Sequence, residues 1–243
     1  MKSDFYDNEN FKKGKCSLNK IELDLLGDIS GKSILHLQCH FGQDTISLNR
    51  FGAQITGVDL SDKSIRYAKQ LAEETNATAK FICCNIYDLK NHLNEKFDIV
   101  FASYGTIGWL PDMQKWADII QHFLKPKGEF VFVEFHPFVW MFNDDFNTIQ
   151  YNYFNIEPII EIETGTYADK DSNIIQENIT WNHSISEVIQ SLLNSDLSIE
   201  TLKEFDYSPY PCFKNIEKVE KNKYRIKQLK KKIPMVYALK ARK

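Results

Sequence analysis

No stretch of the 243-residue sequence is apolar for long enough to cross a bilayer, so no membrane-spanning helix is expected in it. Its opening, MKSDFYDNENFKKGK, lacks the apolar centre of a signal peptide, which makes the cytoplasm the expected compartment. The five cysteines (Cys16, Cys39, Cys83, Cys84 and Cys212) are odd in number and form no CxxC pair, arguing against a disulfide framework and against a zinc ribbon. Neither sign of charge is in excess: 30 Lys and Arg against 33 Asp and Glu leave a net −3, which gives no general attraction to nucleic acid or an anionic membrane. No internal repeat and no Pro/Gly linker divides the chain.

What is present suits an ordinary globular enzyme. A 43% hydrophobic and 26% charged composition supports a packed core, and the length fits a single domain over 1–243. From Gly31 onward short β-branched runs alternate with helical segments, the signature of βαβ units around a parallel sheet. Strands are expected at Ser33–Leu37, Gln54–Leu60, Ala79–Ile86, Phe97–Ser103 and Gly128–Pro137. Helices are expected from Asp44 to Arg50, after Ser61, and over MQKWADIIQHFLKPKG, closed there by a Pro126 to Gly128 turn. After Trp140 the texture turns to Asn, Asp, Tyr and Ile without helical period, read as an antiparallel β insertion. Core rhythm resumes with the helix ISEVIQSLLNSDLS, the strand ETLKEFDYSP, a lysine-dense segment and the strand IPMVYALKAR. The expected organisation is an N-terminal helical cap (1–30), a core (31–140), a β insertion or lid (141–182), and a C-terminal helix and strand pair (183–243).

In such a sheet a ligand lies outside the carboxyl ends of the strands. Polar oddities collect there: HLQCHFGQDT after the first strand, Asp59 after the second, Asn85 after the third, SYGTIGW after the fourth. Asp59 is placed to accept the two hydroxyls of an adenosine ribose; its structural alternative is a helix cap, a role that suits Ser61 better. A diphosphate ligand needs glycines for close backbone approach and a helix N-terminus free of negative charge. This loop offers only Gly42, with His36, Gln38 and His40 at the other expected small or acidic positions, and Asp44 at the helix start would repel phosphate. S-adenosylmethionine carries no phosphate, only a sulfonium and an ammonium cation beside its carboxylate, and tolerates Asp44. It is therefore the expected cofactor, ahead of NAD.

The segment ILHLQCHFGQDTISLNRFGAQITGVDLS resembles the class I S-adenosylmethionine-dependent methyltransferases, and within them a subfamily with an HLQCHFGQDT loop. The class pattern is an acid followed by Gly-x-Gly-x-Gly; here His36 stands for the acid, and Gln38 and His40 for two glycines. The resemblance implies a doubly wound, mostly parallel seven-stranded sheet with helices on both faces and the last strand antiparallel. It also implies roles by position. His36, Gln38, Cys39, His40 and Gly42 would line the methionyl and ribose side, Asp59 would hold the ribose, and Leu60 would pack on the adenine. Asn85 and the Ile86 N–H would meet the adenine edge, and Ser103 and Tyr104 would flank the transferable methyl.

Methyl transfer from a sulfonium needs chiefly orientation and exclusion of water, and a base only where the nucleophile is protonated. His136 is the best-placed base and His183 the second, although single histidines are often structural. Tyr104, Trp109, Phe138, Trp140 and Trp181 supply aromatics near the expected pocket mouth, and Tyr6 and Phe11 an N-terminal anchor; core packing explains each of them as well. His36, Cys39 and His40 make no convincing metal site, because alternate residues diverge and a fourth ligand is missing. The expected activity is methylation of a small-molecule acceptor by a monomer or homodimer. The alternatives are a nicotinamide-dependent oxidoreductase, a degenerate fold kept for protein interaction, and an RNA or protein methyltransferase using KNIEKVEKNKYRIKQLKKK.

Overall fold

The structure, a computed structural model, describes residues 7–164 and 175–243. Seven strands form one sheet in the order β3 (Lys80–Cys83), β2 (Gln54–Asp59), β1 (Ser33–Leu37), β4 (Phe97–Ser103), β5 (Leu124–Phe135), β11 (Val236–Arg242), β8 (Ser198–Phe205). Neighbours pair in parallel except β11, which runs antiparallel to both β5 and β8. The seven-stranded doubly wound sheet and its single reversed strand are thus as expected. No helix among the described residues is long and apolar enough to cross a membrane.

Alternate side chains along each strand go to opposite faces and build separate cores. Ile34, Ile99, Phe101 and Val131 face Leu18, Leu26 and Leu48, from the N-terminal segment and α3 (Gln43–Arg50), with α2 (Lys20–Leu26) lying across this face. Leu35, Val100, Phe130, Phe132 and Tyr237 face Trp116, Ile120 and Phe123 of α5 (Met113–Phe123) and Val188 and Leu192 of α6 (Ile185–Asn194). α1 (Asn8–Lys12) places Phe11 against α3 and α4 (Asp62–Glu74), in a third core with Ile46, Ile65, Ala68 and Phe81.

Several boundaries depart from expectation, the first two below for a clear local reason. β3 stops at Cys83 because the Asn85 side chain accepts from the Tyr87 N–H at 3.0 Å and turns the chain into a 3-10 helix over Ile86–Asn91. α5 ends at Phe123, ahead of the expected Pro126–Gly128 turn: Pro126 bars its predecessor from the helical region, and the chain passes directly into β5 with a register shift. The insertion is β only in part: 142–158 is irregular apart from one bridge, Phe142 to Ile149, and β6 (Ile159–Thr164) pairs with β7 (Ile175–Thr180) as a separate hairpin. The lysine-dense segment forms another hairpin, β9 (Ile216–Glu220) with β10 (Lys223–Ile226).

The turn from β1 into α3 is the tightest junction. A Cβ built on Gly42 would lie 2.8 Å from the Ala68 Cβ and 2.9 Å from the Phe81 ring, with φ at +77°. Gly42→Ala is expected to cost about 1–3 kcal/mol through crowding and a left-handed backbone that alanine resists. Urea denaturation measures it; an unchanged midpoint would show that α4 and β3 yield freely here.

Candidate active site

Three residues in the β1–α3 turn adopt left-handed backbone: Gln38 (φ 52°), His40 (φ 50°) and Gly42 (φ 77°). Gln38 and His40 stand where the class has glycine, and they keep a glycine-like conformation at a cost that surrounding bonds must offset. Those bonds are visible. The Asp59 carboxylate accepts from the His40 N–H at 2.8 Å and the Ser61 N–H at 2.9 Å, while the Cys39 N–H donates to the Val58 carbonyl at 2.9 Å. The Gln38 side-chain amide donates to the Thr106 carbonyl at 2.7 Å, joining the β1 loop to the β4 loop, and leaves its own oxygen buried without a partner.

At the Asp59 end, two of a carboxylate's roughly four acceptor positions are used by backbone, leaving two. Leu60 beside it is 69% exposed, an apolar shelf at the cleft rim. Ser61 caps α4, its hydroxyl accepting from the Ser64 N–H at 3.2 Å; Asn85 is exposed, and Ile86 is buried. The His40 ring lies against Phe41, tilted by 36° with 3.8 Å between centroids. Beneath them His36 is buried, its Nδ1 2.8 Å from the Thr45 hydroxyl, and burial drives its pKa down to about 3, so the imidazole is neutral. Cys39 is buried too; burial and then the Asp59 charge push its thiol pKa up and keep the proton on sulfur.

At the other end acids gather. Asp44, in the first turn of α3, accepts from the Ser103 hydroxyl at 3.4 Å and also draws on the Ser17 hydroxyl. Burial pushes its carboxyl up, against those two hydrogen bonds. Glu22 of α2 is wholly buried. One of its oxygens accepts from the Asn19 amide at 3.5 Å, and the carboxyl also draws on the backbone N–H groups of Asn19 and Glu22 and lies beside the Tyr104 hydroxyl. Burial, then the Asp44 charge, hold its carboxyl up at about 7. Tyr104 follows β4 with φ 43°, and its hydroxyl is buried beside the Glu22 carboxyl. Its ionisation is pushed well up, first by burial and next by Glu22. Its ring meets Tyr210 edge-on at 5.1 Å and Phe135 at 5.4 Å, and Trp140 continues the aromatic wall through Phe135 and Phe213.

The loop carrying Tyr104 is fixed by Glu134 of β5. This buried carboxylate accepts from the N–H groups of Gly105, Thr106 (2.8 Å) and Phe135 (2.8 Å) and from the Thr106 hydroxyl (2.9 Å). Sequence reading missed Glu134, Glu22 and Tyr210. An acid inside a strand that reads as continuously apolar was the available signal for Glu134; nothing in the spacing of α2 marks Glu22.

Tyr104 and His136 are not brought together. His136 lies on the Tyr237 face of the sheet, its Nε2 2.8 Å from Glu204 and its Nδ1 accepting from the Phe138 N–H at 3.1 Å. Both nitrogens are therefore engaged. Burial lowers its pKa, against Glu204. With Phe138, Met141, Tyr153, Phe154, Ile185 and Glu204 it lines a cavity of about 420 Å³. His183 is buried, Nε2 at 2.7 Å from the Leu110 carbonyl and Nδ1 at 3.1 Å from Glu187, in the position of a structural tie. Trp109 is exposed at the β4 loop, and the backbone N–H of the half-buried Trp181 donates to the Gly108 carbonyl at 2.9 Å, tying the insertion to that loop. Phe11 is in the α3–α4 core, under the Arg50 guanidinium at 4.4 Å; Tyr6 lies outside the described residues. Among the described residues no three His, Cys, Asp or Glu side chains converge as metal ligands.

The raised Glu22 pKa gives a stability signature. Between its ordinary value of 4.5 and about 7 the folded chain binds more protons than the unfolded one, so stability falls as pH rises through that window and the deficit is complete above it. Glu22→Gln is expected to flatten this slope and to stabilise the chain at pH 8 by about 1–3 kcal/mol. Thermal unfolding across about pH 5 to 8 tests it, and an unaltered slope would assign the ionisation to another group.

A family model for a methyltransferase domain matches residues 28–178. The ubiquinone biosynthesis O-methyltransferase of Chromobacterium violaceum is 27% identical over 127 residues, covering 51% of this chain and 54% of that protein. The chain spans about half the length of the curated relatives it matches. An S-adenosylmethionine-dependent methyltransferase from Mesorhizobium loti superposes with TM-score 0.63 at 19% identity, covering 96% of this chain and 100% of that one. One from Methanosarcina mazei gives 0.61 at 18%, covering 93% and 98%. At these identities the two structures speak for the fold, whereas the family model covers more than half of the sequence: the chain belongs to the methyltransferase domain family.

Proposed function

We propose that this chain is an S-adenosylmethionine-dependent methyltransferase acting on a small-molecule acceptor by in-line methyl transfer, with the HLQCHFGQDT variant of the cofactor loop. The observation that carries the cofactor is the charge of the cleft. Asp44 sits at the start of α3 and Glu22 is buried with it, an arrangement hostile to a diphosphate and suited to a cationic ligand. The residues present fit the group: Asp59 keeps two acceptor positions for a diol, Leu60 offers an apolar shelf, and the Gln38 oxygen is a buried acceptor awaiting a donor. His36, Cys39, His40 and Gly42 would shape the floor, Ser61, Asn85 and Ile86 the adenine edge, and Ser103 and Tyr104 the reacting end.

When bound, the cofactor supplies an electrophilic methyl group; the chain supplies position and dryness. Glu134 holds the β4 loop so that Tyr104 faces the acidic end of the cleft, and the wall of Tyr104, Tyr210, Phe135 and Trp140 keeps water out. The names of the curated relatives make hydroxyl-bearing small molecules the first acceptors to try. An RNA role draws less support: lysines of the C-terminal hairpin region already pair with acids, Lys223 with Glu220 and Lys214 with Asp144, both at 2.7 Å. The cavity at His136 stands on the other face and is the second place to look for an acceptor.

Calorimetry with S-adenosylmethionine and with NAD decides the cofactor, and tighter binding of NAD would reverse the assignment. Asp59→Ala is expected to weaken S-adenosylmethionine by about 1–3 kcal/mol, since hydroxyls lose a charged acceptor. Unchanged affinity in a folded variant would remove Asp59 from the site. Extracts incubated with the protein and methyl-labelled cofactor should yield a labelled small molecule by mass spectrometry; label found only in RNA or protein would redirect the acceptor class.

A further inference from the structure

Glycine takes left-handed backbone without strain, yet the first such position of the β1–α3 turn carries glutamine at φ 52°. What the larger residue adds is reach. The Gln38 side-chain amide donates to the Thr106 carbonyl at 2.7 Å, and the opposite orientation of the amide is barred because it would set oxygen against oxygen. Thr106 is buried and is held from its other side by Glu134, which accepts from its N–H at 2.8 Å and its hydroxyl at 2.9 Å. The same carboxylate accepts from the Gly105 N–H and, at 3.4 Å, from the Ile107 N–H, so residues 105–107 hang on one acid of β5. We propose that Gln38 is a positioning residue that couples the cofactor loop to the loop after β4, so that occupancy of the first orders the second on the acceptor side. This rests on the cofactor reading above and gives Gln38 a task separate from lining the cofactor.

A carboxylate only accepts, so Glu134 can hold the N–H side of residue 106 but not its carbonyl; an amide donor is the group that completes the grip. Two backbone bonds carry the coupling outward. The Thr106 carbonyl also accepts from the Trp109 N–H at 3.4 Å, and the Gly108 carbonyl accepts from the Trp181 N–H at 2.9 Å. Residues 105–109 and the end of the insertion are thereby one hydrogen-bonded unit, which Gln38 enters at a single carbonyl. A second side-chain bond nearby, from the Ser103 hydroxyl to Asp44, is long at 3.4 Å and stops short of the loop. A ligand that fixes the β1 turn narrows the arc over which the Gln38 amide can follow Thr106, and ordering one loop leaves less entropy to be lost by the other. Such coupling is reciprocal: an acceptor that settles the β4 loop tightens the donor in equal measure.

The test is amide hydrogen exchange of wild type and Gln38→Gly, each with and without saturating S-adenosylhomocysteine. Glycine suits the left-handed position, so the variant is expected to melt within about 3 °C of wild type. In wild type the ligand should slow exchange at Thr106, Ile107 and Trp109 by about fivefold, the equilibrium worth of one ordinary hydrogen bond. In Gln38→Gly those amides should stay within about twofold of their unliganded rates, while the His40 and Ser61 amides bonded to Asp59 gain protection in both proteins. With both proteins saturated, a change of affinity does not enter, and a glutamine of structural importance alone would leave the ligand-induced protection in place. Gln38→Asn, one methylene too short to reach Thr106, should match the glycine variant and decides the matter if that variant fails to fold. Equal protection of the β4 loop in wild type and variant means that the ligand touches the loop directly and overturns the inference. So does a wild-type loop left unprotected while the ligand binds, an outcome that spares the cofactor reading; failure of wild type to bind sinks both.

Discussion

Everything at the carboxyl edge of the sheet depends on how the chain leaves β1. Three left-handed residues within five positions, two of them not glycine, turn it sharply from β1 into α3. The Asp59 carboxylate holds that turn by two backbone N–H groups, that of His40 in the turn and that of Ser61 ahead of α4. Charged-acceptor bonds to backbone are among the stronger ones available to a protein, and here they balance a conformation that Gln38 and His40 would not choose alone. The same carboxylate is the proposed seat of the ribose, so loop geometry and ligand recognition share one side chain.

Much of the central fold was legible because its strands carry strong, short apolar patterns covered on both faces, and their order follows from βαβ handedness. Ser33–Leu37, Phe97–Ser103 and the helix after Ser61 are examples where propensity, caps and burial agree. Boundaries failed where a single side chain intervened, as Asn85 does by capping after β3. The hairpin of β9 and β10 was hidden because it has no alternation to read: the half-buried Ile216 and Val219 stand three residues apart among exposed charges. The site was half legible. Residues placed by the turn after each strand could be read in order, but Glu22 could not: an acid on a short amphipathic helix reads as solvent-facing, and only the docking of α2 over β5 takes it inside.

The sheet also divides its chemistry. Successive residues of β5 serve different faces, so Phe135 joins the aromatic wall near Tyr104 while Glu134 and His136 look the other way. Glu134 nevertheless governs Tyr104, because its carboxylate reaches the backbone of Gly105 and Thr106 at the strand end. The same buried acid lies close enough to Tyr237, on the α6 side, for its charge to raise the Tyr237 ionisation, so one carboxylate adjoins both faces.

The placement of β11 has a consequence for how the chain reaches this state. β8 touches the sheet only through β11, although β11 is made some thirty residues later. During synthesis β8 must wait as a free edge, with Leu202 and its unpaired backbone open to neighbouring chains, until the final strand slides in beside β5. Completion of the fold is thus a late, long-range closure, and the interval before it is when the nascent chain is most in need of a chaperone.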